Sequence, residues 1–244
     1  MRPVEAIDPD LLLRAYTIGV FPMADDRDAR SVYWVEPKRR AILPLDAFRV
    51  SRSLRRTILS ERFMTTADAA FGRVVALCAE SAPDRPATWI NRGIERAMLA
   101  LHARGFAHSI ETWEGDRLVG GLYGLALGRA FFGESMVSRA TDASKVALAH
   151  LVARLRVGGF TLLDCQFQTP HLASLGAIEV SRRAYMALLG EALGSGTGWA
   201  AAGAGADFRA LDGSAPPPAA APGATTLSGP TSGCRIMQAL VQTS

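Results

Sequence analysis

Residues 107–138 read AHSIETWEGDRLVGGLYGLALGRAFFGESMVS, and their reading decides the fold. Strand-forming residues run from Ala107 to Trp113 and again from Arg117 to Leu127, with Glu114-Gly115-Asp116 as a turn between them. Arg129 to Ser138 supplies a third strand. The period then changes: Ala143 to Val157 is helical, closed by Gly158-Gly159, and Phe160 to Phe167 returns to strand. A hairpin series, a helix and one more strand predict an α+β fold with a mixed, mainly antiparallel sheet.

Upstream, Asp8-Pro9-Asp10 before an apolar run is a capped helix start that Gly19 ends. Phe21-Pro22-Met23 is extended, and Val32 to Val35 and Arg40 to Pro44 are expected short strands. Ser51 caps a helix whose Arg52, Arg55 and Arg56 share one face. Ala67 to Cys78 is expected to be helical, with Phe71, Val74, Val75 and Cys78 as its apolar stripe. Ala82 to Pro86 is a loop, and Asn91 opens a long helix. After about Gly190 the composition turns to Gly, Ala, Ser, Thr and Pro, including Pro216-Pro217-Pro218. Such a segment buries little apolar area and is expected to be flexible, with Cys234 to Val241 docking back as a short strand. The expected division is a small N-terminal domain over 1–38, a larger domain over 39–190 and a tail over 191–244.

The chain has 244 residues, of which 49% are hydrophobic, enough for a real core. Its longest apolar runs fall short of the roughly 20 residues that span a bilayer, and Met1-Arg2-Pro3-Val4-Glu5 lacks the apolar stretch of a signal peptide. The three cysteines, Cys78, Cys165 and Cys234, form neither a disulfide framework nor a Cys-x-x-Cys site. A reducing cytoplasm fits this usage. The net charge is +4, but Lys38 to Arg62 holds eight basic residues against Asp46 and Glu61, a local charge of +6. Nearly all of that charge is arginine, whose planar fork suits phosphate, so a polyanionic partner is expected.

Two polar runs interrupt apolar strand sequence: Gly133-Glu134-Ser135-Met136 after Ala130-Phe131-Phe132, and Asp164-Cys165-Gln166 after Thr161-Leu162-Leu163. A buried carboxylate costs several kcal/mol unless it is paired, so two such breaks point to one site. Strand alternation puts Asp164 and Gln166 on one face, opposite Leu163, Cys165 and Phe167. A carboxylate beside a carboxamide is suited to holding an amine. Glu134 shares a face with Met136 and has Arg139 or Lys145 as candidate ion-pair partners. Leu148, Leu151 and Leu155 line one face of the following helix, either as plain core or as the wall of an apolar pocket. Trp89, just after a loop, can pack or stack on a flat ligand. His102, His108, His150 and His171 have no metal-ligand spacing, and no phosphate-binding loop of the P-loop type is present.

With these residues in place, the chain resembles the leucyl/phenylalanyl-tRNA–protein transferases. The matching runs are LLRAYTIGVFP (12–22), Tyr33-Trp34, Ser51-Arg52-Ser53-Leu54, Thr88-Trp89-Ile90, His108-Ser109-Ile110-Glu111, LVGGLYG (118–124), FGESM (132–136), Ala143-Ser144-Lys145, Asp164-Cys165-Gln166 and HLASLGA (171–177). They stand in the family's order over roughly residues 9 to 187. The resemblance implies a small N-terminal domain on a larger domain similar to the GNAT acyltransferase fold. It implies transfer of Leu, Phe or Met from aminoacyl-tRNA to proteins with N-terminal Arg or Lys, marking them for degradation. By the same likeness Asp164 and Gln166 are the catalytic pair, and Glu134 and Ser138 are substrate-binding. Leu122, Met136, Leu148, Leu151, Leu155 and Leu163 form the side-chain pocket, and Trp89 with Met23 holds the terminal adenosine. Met23 stands where the family often carries Trp. Arg39, Arg40, Arg52, Arg55 and Arg56 are the expected tRNA contacts. No cofactor, metal or membrane is called for, and a monomer is expected.

The implied reaction is aminolysis of an activated ester, and it needs no strong base. An α-amino group has a pKa of about 7.7–8.0, so roughly a tenth is neutral near pH 7. Asp164 and Gln166 are expected to orient the amine, with Asp164 taking its proton directly or through Gln166. The rival readings are a CoA-dependent GNAT N-acetyltransferase and a non-catalytic tRNA-binding module. The first needs an Arg/Gln-x-x-Gly-x-Gly/Ala loop before the helix at Ala143, which the sequence lacks. The polar pair in its apolar setting weighs against the second.

Overall fold

A computed structural model of the chain describes residues 6–80, 87–194, 206–213 and 229–241. The expected loop at Ala82 to Pro86 and the Pro216-Pro217-Pro218 run lie outside the described residues. The fold is α+β. A short N-terminal region holds helix α1 (Pro9–Thr17) and an antiparallel ribbon of β1 (Phe21–Met23) and β2 (Tyr33–Val35). Asp8 caps α1 by accepting from the Asp10 N–H at 2.9 Å.

The larger part is built on a seven-stranded sheet. Its strands are β3 (Arg39–Ile42), β4 (Met64–Ala67), β5 (Ala107–Glu114), β6 (Arg117–Leu127), β7 (Ala130–Ser138), β8 (Leu162–Gln166) and β9 (Ile178–Ser181). Their spatial order is β4-β5-β6-β7-β8-β3-β9, and β7 with β8 is the parallel pair. A parallel pair requires a crossover, and helix α5 (Ala143–Val157) provides it, while the short α6 (Pro170–Ser174) follows β8. The expected strands of the hairpin series, the α5 helix and β8 are all present at these positions.

The sheet separates two apolar layers. On one face lie α1, α3 (Phe71–Ala79), α4 (Arg92–Ala103) and α7 (Arg182–Leu193), packed around Tyr123 and Phe132. On the other lie α5, α2 (Arg52–Leu59) and α8 (Gly233–Val241), packed around residues that include Leu122, Phe131 and Leu163. Adjacent residues such as Phe131 and Phe132 enter opposite layers, as strand alternation demands. Ser51 and Asn91 cap α2 and α4 through side-chain oxygens that accept from Leu54 N and Ile94 N.

Two expectations fail. The stretch from Ala67 is not one helix: Met64–Ala67 pairs with β5, and helix begins only at Phe71. Asp68 between them adopts a left-handed φ of 59°, held by its carboxylate, which accepts the Ser109 N–H at 2.9 Å. The C-terminal apolar run is a helix rather than a strand, because Ile236, Met237 and Ala239 share a buried face against α2 and α5. Residues 206–213 and 229–241 pack onto the larger domain, and Thr231 bridges to Thr65 of β4.

Candidate active site

The two polar runs converge where β7 and β8 stop pairing, just beyond Phe132 and Asp164. Asp164 is fully buried. Its carboxylate accepts from Arg40 Nε at 2.9 and 3.0 Å and from Arg40 Nη2 at 2.6 Å. Tyr185 of α7 donates its hydroxyl to Oδ2 at 2.7 Å, and the backbone N–H of Gln166 donates to Oδ1 at 2.8 Å. Arg40 is only 1% exposed. Its guanidinium lies 4.6 Å from the Phe21 ring centre and 4.7 Å from that of Tyr185, and it also donates to the Gly19 carbonyl. The pair is therefore both desolvated and fully hydrogen-bonded, the condition under which a buried ion pair persists.

That network corrects two expectations. Arg40 is not a surface residue available to tRNA phosphate; strand β3 runs beside β8 and turns it inward onto Asp164. Nor do Asp164 and Gln166 share a face in the simple alternation. Gln166 has a left-handed φ of 62°, held by the bond from its N–H to Asp164. This twist turns the Gln166 side chain to the same cavity as Leu163 and Cys165, while Asp164 stays behind the strand.

Glu134 reaches the same place by a second irregularity. In the β6–β7 register Tyr123 opposes Ser135 and Gly124 opposes Gly133, so Glu134 is the extra residue of a bulge. Gly124 faces that bulge, and a Cβ there would lie 2.2 Å from the Phe132 carbonyl oxygen. Glu134 Oε1 accepts from Tyr16 of α1 at 2.7 Å and from Gln166 Nε2 at 2.9 Å. Its Oε2 is buried without a hydrogen-bond partner. Burial pushes the Glu134 carboxyl up to about 8, and the nearby Asp164 charge adds to the rise, against the hydrogen bonds from Tyr16 and Gln166. The expected partners Arg139 and Lys145 pair instead with Glu80 and Asp142.

Beside these groups opens a cavity of about 300 Å³. Leu122, Met136, Leu148, Leu151 and Leu163 supply much of its apolar wall, Glu134 and Gln166 its polar edge, and Trp89 part of its rim. Several lining residues were not read from the sequence as wall positions, among them Tyr123, Phe167, Thr169, His171 and Leu172. Phe167 is half-exposed and packs edge-on against Phe21. Cys165 also lines the cavity, and burial holds its thiol well above the ordinary range, so it stays protonated.

Asp164, Leu155, Ser138 and Met23 do not line it. Leu155 is fully buried in the layer beneath. Ser138 is engaged at the start of α5, where its hydroxyl donates to the Ala140 carbonyl and accepts from Ser144 N. Met23 packs against the other apolar layer. Tyr16 and Tyr185 were missed as site residues; each is a tyrosine in an amphipathic helix and reads locally as core. The Arg52, Arg55 and Arg56 side chains lie on the exposed side of α2, and Arg39 is exposed and pairs with Glu179 at 3.1 Å. Among the described residues no group of three or more His, Cys, Asp or Glu side chains could hold a metal ion, and no helix is long and apolar enough to cross a membrane.

Comparison with known proteins gives the chemistry a family. Residues 42–190 match the sequence model described as leucyl/phenylalanyl-tRNA protein transferase, and residues 5–38 match that of its N-terminal domain. A relative of that name from Rhizorhabdus wittichii is 65% identical, over 99% of this chain and 100% of its own length. One from Zymomonas mobilis is 61% identical over 78% of this chain and 70% of its own. One from Paramagnetospirillum magneticum is 60% identical over 82% and 93%. The chain thus belongs to the leucyl/phenylalanyl-tRNA–protein transferase family.

Proposed function

We propose that this aminoacyltransferase moves Leu, Phe or Met from aminoacyl-tRNA to the N-terminal Arg or Lys of acceptor proteins. The acceptors are thereby marked for degradation by the N-degron route, in the cytoplasm where charged tRNA is made. The observation that carries this reading is the apolar cavity of about 300 Å³ with Glu134 and Gln166 hydrogen-bonded to each other at its edge. Unbranched-Cβ side chains with apolar ends suit such a cavity. The parallel β7–β8 pair bridged by α5, within an otherwise antiparallel sheet, supports kinship with the GNAT acyltransferase fold.

The geometry suits aminolysis. Gln166 Nε2 is committed to Glu134, which leaves its Oε1 to accept an N–H of the incoming amine. The amine nitrogen bonds to the ester carbonyl carbon, and the bond from that carbon to the ribose oxygen breaks. The ribose oxygen leaves as a hydroxyl after taking a proton lost by the amine. Positioning of this kind supplies about 7–11 kcal/mol of a barrier. Asp164 acts here as an orienting group, not as the base. Its oxygens already accept from Arg40, Tyr185 and the Gln166 backbone, and that last bond sets the Gln166 conformation. Glu134, at the cavity's polar edge, keeps an Oε2 that no hydrogen bond occupies, and it is the group assigned here to the acceptor side.

The test mixes purified protein with Leu-tRNA and peptides that begin with Arg, Lys or Ala. Leucine should appear on the Arg and Lys peptides and not on the Ala peptide. No transfer to any of them would overturn the reading.

A further inference from the structure

Leu148 and Leu151 of α5 look into the cavity. Arg154, fully buried and three residues on from Leu151, is covered by residues 206–213. Arg154 meets Asp212 in a two-pronged pair, Nη1 to Oδ2 at 2.8 Å and Nη2 to Oδ1 at 2.6 Å, and donates to the Phe208 carbonyl at 2.8 Å. Phe208 stacks on His108 of β5, ring centres 4.1 Å apart, and on Phe131 of β7 at 5.7 Å. The Asp207 N–H donates to the Gly158 carbonyl just past α5. A Cβ on Gly158 would sit 2.3 Å from the Asp207 carbonyl oxygen, so the two backbones meet with no room for a side chain. Arg156, near the end of α5, donates to the Leu240 carbonyl of α8.

Phe208 belongs to the same apolar cluster as the cavity residues Leu122, Leu148, Leu151 and Leu163. One face of the cavity wall therefore stands on α5, and the C-terminal segment packs behind that wall, with Phe208 between α5 and strands β5 and β7. We infer that residues 206–213 form a strap that fixes α5 and so sets the width of the donor side-chain cavity, with Phe208 and Asp212 as positioning residues. This inference rests on the proposed donor pocket. Without the strap, Arg154 would be a buried charge lacking its carboxylate, and the cavity wall would lose the aromatic ring packed behind it. Space opened behind the wall lets its leucines relax away from the cavity and favours a larger donor side chain over a smaller one. Differences of one methylene in such a pocket are worth tenfold or more, so sub-ångström control of the wall is a matter of specificity.

The experiment compares Phe208→Ala, Phe208→Leu and Asp212→Asn in full-length protein with Leu-tRNA and Phe-tRNA donors and an Arg-initiated peptide. Phe208→Ala should raise the Phe-over-Leu ratio of kcat/KM by about tenfold or more, on the scale of a methylene-sized change. The change should enter through the donor KM, with the KM for the peptide unmoved. Phe208→Leu should restore most of the parent ratio. Asp212→Asn, which preserves volume while removing the carboxylate that pairs with Arg154, should shift the ratio in the same direction, and Phe208→Leu, which keeps the ion pair, guards against loss of the fold. If the variants lower the melting temperature while both donors change by one common factor, the strap is mere scaffolding and the inference falls. Absence of transfer by the unsubstituted chain would instead overturn the donor-pocket reading.

Discussion

Arg40 and Asp164 grip each other across β3 and β8 in a fully buried two-pronged ion pair, with Nη2 to Oδ2 at 2.6 Å. The partners are 124 residues apart in sequence. Between Phe21 and Tyr185 the guanidinium has no water to fall back on. The pair ties together the N-terminal region through Gly19, the sheet, and α7 through Tyr185. It also stands one hydrogen bond away from Gln166.

Arg40→Ala should therefore act on stability and turnover, not on tRNA affinity. Stranding Asp164 costs about 3–5 kcal/mol, and the twist at Gln166 loses its anchor. Denaturant unfolding should show that loss, kcat should fall sharply, and the tRNA dissociation constant should hold. Arg40→Lys should recover only part, because an ammonium cannot reproduce the two-pronged contact. A large loss of tRNA affinity with stability intact would contradict the buried assignment.

Glu134 predicts a pH signature of stability. Its folded-state carboxyl is raised to about 8 from an ordinary value of 4.5, so between those limits the folded chain binds a proton that the unfolded chain has released. Stability from this group is fully present below about pH 4.5 and is lost as pH rises toward 8, with a slope of up to about 1.4 kcal/mol per unit. Urea unfolding from pH 5.5 to 8.5 should show this decline, and Glu134→Gln should flatten it. Parallel curves for the two proteins would mean that Glu134 is ionised throughout.

What the sequence made legible follows from how locally each feature is encoded. Strands β5 to β8 and α5 follow from period and turn residues, and the caps Ser51 and Asn91 from their side chains. The polar runs at Glu134 and Asp164 stood out because they break apolar strands. Their geometry did not, because both depend on pairing. The bulge at Glu134 exists only against β6, and the turn at Gln166 only through Asp164. Arg40 sits among seven other basic residues between Lys38 and Arg62, and nothing near it announces a partner on another strand. Tyr16 meets Glu134 across 118 residues. Short apolar runs are ambiguous between helix and strand, which is why α8 was misread.

The exposed arginines of α2 carry the tRNA prediction that Arg40 cannot. Arg52→Ala and Arg55→Ala should weaken binding of every tRNA alike, since phosphate contacts carry no base information. Each lost contact should flatten the plot of log affinity against log salt by about 0.9 if the phosphate belongs to duplex RNA-like helix. Titrations over a range of salt with two unrelated tRNAs check both points. A changed preference between the tRNAs, or an unchanged slope, would place the tRNA elsewhere.

The cavity wall makes the last prediction, and it separates size from polarity. Leu148 projects from α5 and Leu163 from β8 into the same space. Leu148→Phe adds volume in the cavity itself, so it should raise the KM for Phe-tRNA more than for Leu-tRNA, while the rate with a bound donor stays near the parent value. Leu148→Ala should do the reverse, admitting Phe more readily, at a cost of about 2–5 kcal/mol in stability if the site does not collapse. Selectivity of this kind is bounded, since one methylene in an apolar pocket is worth about 1–3 kcal/mol. Changes at Gln166 should behave differently: Gln166→Ala removes the acceptor proposed for the amine and should lower kcat for both donors by the same factor. Single-turnover kinetics with saturating donor tell the two classes apart. If Leu148→Phe and Gln166→Ala gave the same pattern, the wall and the polar edge would not have the separate duties assigned to them.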